Sequence, residues 1–202
     1  MNILNLKRLK LKNLEIEPLN INHVKQFKNW GKHHKMFSDY DFYEETDEEI
    51  YQWYNWKCKD RNSYYAILLD DVAIGYVGFQ FVNKFFKTSV LGIVLDGNYL
   101  DKGYGKEVLI GVINRYFEMG FKTLKLKVAS YNKRAKHIYK NLGFKHRYTT
   151  LMTYEGDYFE FVGEYEKFKD DFIEIFYIKL FYVDNMILDK KTFYEVVKCF
   201  SN

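Results

Sequence analysis

Three stretches of this chain carry residues whose type and spacing could do chemistry. In Lys102-Gly103-Tyr104-Gly105-Lys106 a glycine-rich turn follows the apolar run Val90 to Leu95 and precedes a helical pattern. Its backbone N–H groups therefore stand at a helix N-terminus, where aligned peptide dipoles favour an anion, and the geometry suits a pyrophosphate. Gly103-x-Gly105 alone is weak evidence in a chain with 12 glycines. About thirty residues on comes Asn132-Lys-Arg-Ala135-Lys-His-Ile138-Tyr139-Lys-Asn-Leu142-Gly143-Phe144. Asn132 is a good N-cap, Ala135, Ile138, Tyr139 and Leu142 form one helical stripe, and Gly143 stands where a left-handed C-cap residue belongs. An ordinary phenol, with a pKa of about 10, is a neutral proton donor at pH 7; Tyr139 also lies on the apolar stripe, where a tyrosine can simply pack. The third stretch, residues 39–49, holds seven acids and no Lys or Arg. Asp47, Glu48 and Glu49 are what a helix N-terminus favours on its own account. Asp39, Asp41, Glu44 and Glu45 precede them, interleaved with Phe37, Tyr40, Phe42 and Tyr43, and would make a negative, aromatic-walled pocket suited to a polycation. His33-His34, in a lysine-rich turn, reads as solvated.

Elements that position these residues can be read from periodicity. Leu9 to Glu17 reads as an amphipathic first strand with Pro18 at its exit, followed by a short helix through Val24, Phe27 and Trp30. Thr46-Asp-Glu-Glu49 is a capping box that opens a helix to about Lys59. Tyr64 to Leu69 and Val72 to Phe81, joined at Asp70-Asp71, read as a hairpin. Ser89 to Leu95 is a nearly unbroken apolar strand, and Val108, Leu109, Val112, Ile113, Tyr116 and Phe117 form the stripe of a helix that stops near Gly120. Leu124 to Val128 alternates as a fifth strand. Strand, turn, helix, strand is a crossover that must be right-handed. After Phe144, Leu151 to Tyr158 is expected as a sixth strand and turn. Either Tyr158 to Tyr165 or Phe172 to Val183 is the seventh, and residues 190–200 form a terminal helix docked on the body or on a second subunit, so a homodimer is an open expectation.

The glycine turn and the Asn132–Phe144 helix, in this order and after a matching strand, resemble the cofactor site of the GNAT N-acetyltransferase superfamily, nearest its branch acting on spermidine and ribosomal-protein N-termini. The resemblance covers most of the chain. It implies an α/β fold, a mixed and mostly antiparallel central sheet with splayed fourth and fifth strands and flanking helices, with the pantetheine arm in the cleft. It implies acetyl-CoA held by Leu100, Asp101, Lys102, Gly103, Tyr104, Gly105, Lys106 and Asn132. Backbone amides at Ile93, Val94 and Leu95 would hold pantetheine and polarise the thioester carbonyl, and Tyr139 would protonate the departing thiolate. Two positions depart from the family pattern. Leu100 stands where Gln or Arg is usual, and Val90 where many members carry a glutamate base on the fourth strand. The base is then expected among Asp39, Asp41, Glu44 and Glu45, which line the acceptor side in this family, or in solvent.

The function implied is acetyl transfer from acetyl-CoA to a primary amine, such as a polyamine or another cationic small molecule. The alternatives are a ribosomal-protein or peptide N-terminal acetyltransferase, and a non-catalytic acyl-CoA-binding regulatory module motivated by Leu100, Val90 and the C-terminal part. Retention of Tyr139 argues against the last.

Composition bounds these readings. A chain of 202 residues is long enough for one sizeable core and short for two, so residues 1–202 are expected as a single domain with an extended C-terminal part from about 159. The 20% aromatic content points to a core and pocket walls built from rings. A net charge of +4 on scattered lysines gives no nucleic-acid surface. Lys102, Lys106, Lys133, Arg134 and Lys136 gather near the two motifs, where they could serve phosphates or be solvated faces. Cys58 and Cys199 lack metal-ligand spacing. No secretory h-region or membrane span is legible, and a soluble, cytoplasmic protein is expected.

Overall fold

The first strand is two strands. β1 (Leu9–Lys10) and β2 (Glu15–Pro18) pair antiparallel, and the intervening turn closes with the Leu11 N–H donating to the Leu14 carbonyl at 2.8 Å. Glu107 fixes that turn from a distant helix. Its carboxylate accepts from the backbone N–H and from the side-chain amide of Asn13, each at 2.7 Å. The computed structural model describes residues 2–154 and 167–198. It divides into two compact units, one ending at Leu124 and the other starting at Lys125.

In the first unit β2 leads through α1 (Ile21–Gln26) and a 3-10 turn (Phe27–Asn29), a second 3-10 segment (Lys35–Tyr40) and α2 (Asp47–Lys57) to β3 (Ser63–Leu69), β4 (Val72–Asn83) and β5 (Thr88–Leu95). The strands lie in chain order, each antiparallel to the next. The β3–β4 hairpin turns at Asp70 and Asp71, both with positive φ (49° and 63°), the conformation a tight two-residue hairpin turn needs. The capping box at Thr46 and Glu49 forms in both directions. Successive strand residues face opposite sides, and each side of this sheet has its own cover. α1, the 3-10 turn after it and α2 bury Val24, Phe27 and Ile50 against Tyr64, Ala66 and Leu68. On the opposite side α3 (Tyr104–Glu118) buries the whole predicted stripe, and its Tyr116 stacks on Phe79 of β4 at 5.2 Å.

The boundary between the units falls inside β6 (Thr123–Ala129). The second unit continues with α4 (Lys133–Asn141), β7 (Lys145–Thr153), β8 (Phe172–Ile175), β9 (Ile178–Asp189) and α5 (Lys190–Lys198). β9 runs between β6 and β7, and β8 also pairs with it; the β7–β9 and β8–β9 pairings are antiparallel. Residues 172–183, read as one candidate seventh strand, are thus a hairpin. It reverses at Phe176 and Tyr177, whose φ angles are 50° and 66°. The rival candidate, 158–165, and the turn expected after Leu151 lie outside the described residues. α5 docks on its own unit. Phe193 is fully buried, and Thr192 and Val196 crowd Gly143 so closely that a side chain there would meet them. Both units are mixtures of helix and mostly antiparallel sheet, as the sequence leads one to expect.

Candidate active site

The turn ahead of α3 is an uncapped helix start. Gly103 is the N-cap residue, in the left-handed region at φ 81°, and no side chain caps the helix there. The backbone amides of Tyr104, Gly105 and Lys106 are the first of the helix, which have no carbonyl partner within it. A Cβ added at Gly103 would meet nothing within 4 Å, so the glycine is required by backbone conformation and leaves the amides open to approach. Asp101 also has positive φ (60°). Lys102 lies over the Tyr99 ring at 4.8 Å.

β5 enters this turn with alternating backbone directions. The Leu19 N–H donates to the Tyr64 carbonyl at 3.0 Å and the Asp96 N–H to the Ile74 carbonyl at 2.9 Å. Counting alternate antiparallel pairs from these two bonds across the β3–β4–β5 register turns the backbone of Val94 toward β4 and that of Ile93 and Leu95 away from it. Of the three amides expected to meet a ligand, those of Ile93 and Leu95 turn away from β4 and that of Val94 turns toward it.

A cavity of about 560 Å³ opens on the α1–α2 side of the first unit. Asp39, Asp41 and Glu44 line it, as expected, and Glu49 joins them; Glu45 does not. Trp30, Tyr40, Phe42, Trp53, Trp56 and Tyr76 supply aromatic walls. Beneath the rings the sheet is thinned at Gly78, where a side chain would run into the Tyr64 ring. Burial raises the Tyr64 phenol to about 12 although Gln80 donates a hydrogen bond to its oxygen at 2.8 Å. Glu49 does double duty. Its carboxylate accepts from the backbone N–H of Thr46, which holds its pKa below the ordinary value, helped by the Thr46 hydroxyl and the Glu45 N–H. Lys57, on the same face of α2, is the one cation among the lining residues.

One expectation is overturned at the pocket edge. His33 is not solvated: its side chain is 6% exposed and that of Asp41, its partner, 5%. Asp41 Oδ1 accepts from the His33 backbone N–H at 2.8 Å and lies 2.7 Å from its Nδ1, while His33 Nε2 is 2.9 Å from the Leu95 carbonyl oxygen. Both ring nitrogens thus face acceptors. The neighbouring backbone is tied down in the same way, the Gly31 N–H donating to Asp96 Oδ1 at 2.8 Å and the Gly97 N–H to the Gly31 carbonyl at 3.2 Å. Asp41 is therefore committed to holding the loop against the end of β5. His34 is exposed.

In the second unit, α4 has the ends its sequence announces. Asn132 Oδ1 accepts from the Ala135 N–H at 3.0 Å. Gly143, at φ 92°, donates to the Lys140 carbonyl, and Phe144 to that of Tyr139, each at 3.0 Å, the paired bonds of a glycine-ended helix. The half-buried Tyr139 ring packs edge-on against Phe144 at 5.7 Å. Lys133 and Lys136 are paired with Asp171 at 2.8 Å and Asp184 at 2.5 Å, so neither is a spare cation for a phosphate. Among the described residues no cluster has the makings of a metal site, and no helix is long and apolar enough to cross a membrane.

The model of the acetyltransferase (GNAT) family matches residues 30–144, more than half of the chain. The chain belongs to the GNAT acetyltransferase family. No curated protein matches it by sequence, whereas solved GNAT folds superpose over nearly the whole length. A spermidine N-acetyltransferase SpeG chimera from Vibrio cholerae and hSSAT has TM-score 0.67 at 16% identity, covering 91% of this chain and 99% of its own. The Vibrio cholerae spermidine N-acetyltransferase in complex with CoA and spermine gives 0.64 at 16%, with 90% and 98% covered. A GNAT-family acetyltransferase from Bacillus anthracis gives 0.61 at 14%, with 91% and 99% covered. At such identities the likeness is one of fold. Within the GNAT match fall the glycine turn, all of β5, Asn132 and Tyr139, and also pocket residues the sequence reading passed over. Glu49, Gln52, Trp53, Trp56 and Lys57 recur at i, i+3, i+4, i+7 and i+8, the spacing of a single helix face, which is the signal that could have found them.

Proposed function

We propose that this GNAT member is an N-acetyltransferase, the whole chain acting as one acetyltransferase domain, that moves acetyl from acetyl-CoA to a primary amine of a polyamine or another cationic small molecule. The observation that carries the reading is the pocket: four carboxylates and a wall of rings around about 560 Å³, an environment that attracts an ammonium by charge and by the ring quadrupole. The spermine-bound GNAT fold is consistent with it.

An uncapped helix N-terminus with an unobstructed glycine at its mouth meets a pyrophosphate's need for several convergent N–H donors. In this reading Leu100, Asp101, Lys102, Gly103, Tyr104, Gly105 and Lys106 form the cradle, and Asn132 belongs to the same cofactor set through the family motif. Leu100 contributes backbone only. In the same reading the N–H groups of Ile93 and Leu95, turned away from β4, hold the pantetheine amide and the thioester oxygen. Acetyl-CoA supplies the electrophilic thioester carbonyl when bound.

The chain's own residues then orient the amine and move protons. Asp39 and Glu44, which line the pocket, are assigned to take the ammonium proton; Asp41, held by His33, and Glu45, off the pocket, are assigned to shaping the field. As the N–C bond forms and the C–S bond breaks, the Tyr139 Oη gives its proton to the departing sulfur. The test is CoA release from acetyl-CoA in the presence of spermidine, an aminoglycoside, and a short peptide with a free N-terminus. Turnover with spermidine supports the reading. Turnover with the peptide alone replaces the acceptor, and CoA binding without release to any of them would leave a non-catalytic binding module.

A further inference from the structure

Lys57 is a cation inside a pocket that otherwise attracts cations. Its Nζ lies over four rings, those of Trp53 at 5.1 Å, Trp56 at 4.8 Å, Tyr64 at 5.6 Å and Tyr76 at 5.2 Å. Trp53, Trp56 and Tyr76 line the cavity itself. Among the described residues no carboxylate or carbonyl bonds this ammonium, so the rings alone hold it. Burial pushes its pKa down, while the field of Glu44 works in the opposite sense. Four faces of negative quadrupole around one point form an aromatic cage for an ammonium, and the cage is filled by the chain itself.

Resting on the amine-acceptor reading, we propose that Lys57 is the specificity-determining residue of the pocket: its fixed charge occupies the aromatic cage, so the site takes an acceptor with one ammonium at the acidic side and disfavours extended polyamines whose second ammonium reaches the cage. Two ammonium groups about 6 Å apart in a partly solvated pocket repel strongly enough to weaken binding by roughly tenfold to a hundredfold. The carboxylates of Asp39, Asp41, Glu44 and Glu49 attract both kinds of ligand, and Lys57 sets the difference between them.

The test reads binding directly. The chain has three tryptophans, and all three, Trp30, Trp53 and Trp56, line this cavity, so intrinsic emission reports on it. Wild type, Lys57→Met and Lys57→Arg are titrated with butylamine and with spermidine. Met keeps the volume of the stem, Arg keeps the charge, and thermal unfolding verifies that each variant is folded. The expected result is a Lys57→Met protein whose ratio of spermidine to butylamine affinity rises at least about tenfold, with Lys57→Arg resembling wild type. An unchanged ratio in Lys57→Met, while both amines still bind, overturns the role of Lys57 and leaves the amine-acceptor reading standing. Absence of binding by either amine to any of the three proteins overturns both.

Discussion

Replacing His33 with alanine removes two hydrogen bonds from a nearly dry site, and the cost can be worked from the geometry. The ring sits 2.7 Å from the Asp41 carboxylate and 2.9 Å from the Leu95 carbonyl, with both side chains about one-twentieth exposed. A hydrogen bond to a charged group contributes about 1.5–3 kcal/mol, and a buried carbonyl left without a partner costs about 1–3 kcal/mol. Because the His33 backbone N–H still reaches Asp41 and water can enter the space vacated, the lower half of the combined range applies, about 3 kcal/mol. For a chain of 150–250 residues that is a fall in Tm of roughly 6–12 °C, measurable by circular dichroism or scanning fluorimetry. A double-mutant cycle with Asp41→Asn separates the pair from the Leu95 bond; a coupling of at least about 1 kcal/mol is expected for residues in one network. A Tm drop under about 2 °C, or a coupling within error of zero, would show that the interaction seen between loop and strand is not a structural tie.

Gly103→Ala is expected to cost about 1–2 kcal/mol in stability, the penalty of a left-handed non-glycine residue, with no steric term from the protein. A larger loss of CoA affinity by calorimetry would then measure how closely the cofactor approaches, and undiminished affinity would remove the turn from the cradle. Tyr139→Phe keeps the ring packed on Phe144 and should lower turnover; unchanged kcat excludes the phenol from the mechanism. Asp189 is held below its ordinary pKa by the Thr192 backbone N–H and then its hydroxyl, so its stabilising effect is complete above the unfolded carboxyl's range and disappears as pH falls through its lowered folded value. Asp189→Ala should accordingly lose about 1 kcal/mol at pH 7, with the gap from wild type closing only in strong acid. A gap independent of pH would mean that the charge plays no part.

Local signals made most of the fold legible. The α3 stripe, the Thr46 capping box, the Asp70-Asp71 turn and the Asn132 and Gly143 helix ends are each complete within a few residues, and each is found where the sequence places it. Failures occurred where the decisive partner is remote or the local chemistry is unusual. Nothing near Asn13 announces a turn held by Glu107, 94 positions away, so β1 and β2 read as one strand. Phe176 and Tyr177 are poor residues for positive φ, and a reversal at two aromatics looks like continuous strand. His33 is buried by Asp41, eight residues on, and by Leu95, 62 residues on; its neighbours in sequence, Lys32, His34 and Lys35, give no hint of it. Three of the four pocket acids, Asp39, Asp41 and Glu44, could be read from the acid-rich stretch, whereas the Lys57 cage needs rings from α2, β3 and β4 together.

Every residue lining the cavity lies between Trp30 and Tyr76, and the glycine turn begins only after β5 ends at Leu95. The proposed choice of acceptor and the grip on the cofactor are thus written in consecutive, non-overlapping stretches of one gene. Such a layout lets substitutions accumulate in the first stretch, or a crossover replace it whole, provided that the ties from Gly31 and His33 to Asp96 and Leu95 are kept. Recombination within the β4–β5 hairpin would therefore exchange substrate preference between relatives as a single inherited block, a route to new activities shorter than independent change at each pocket wall.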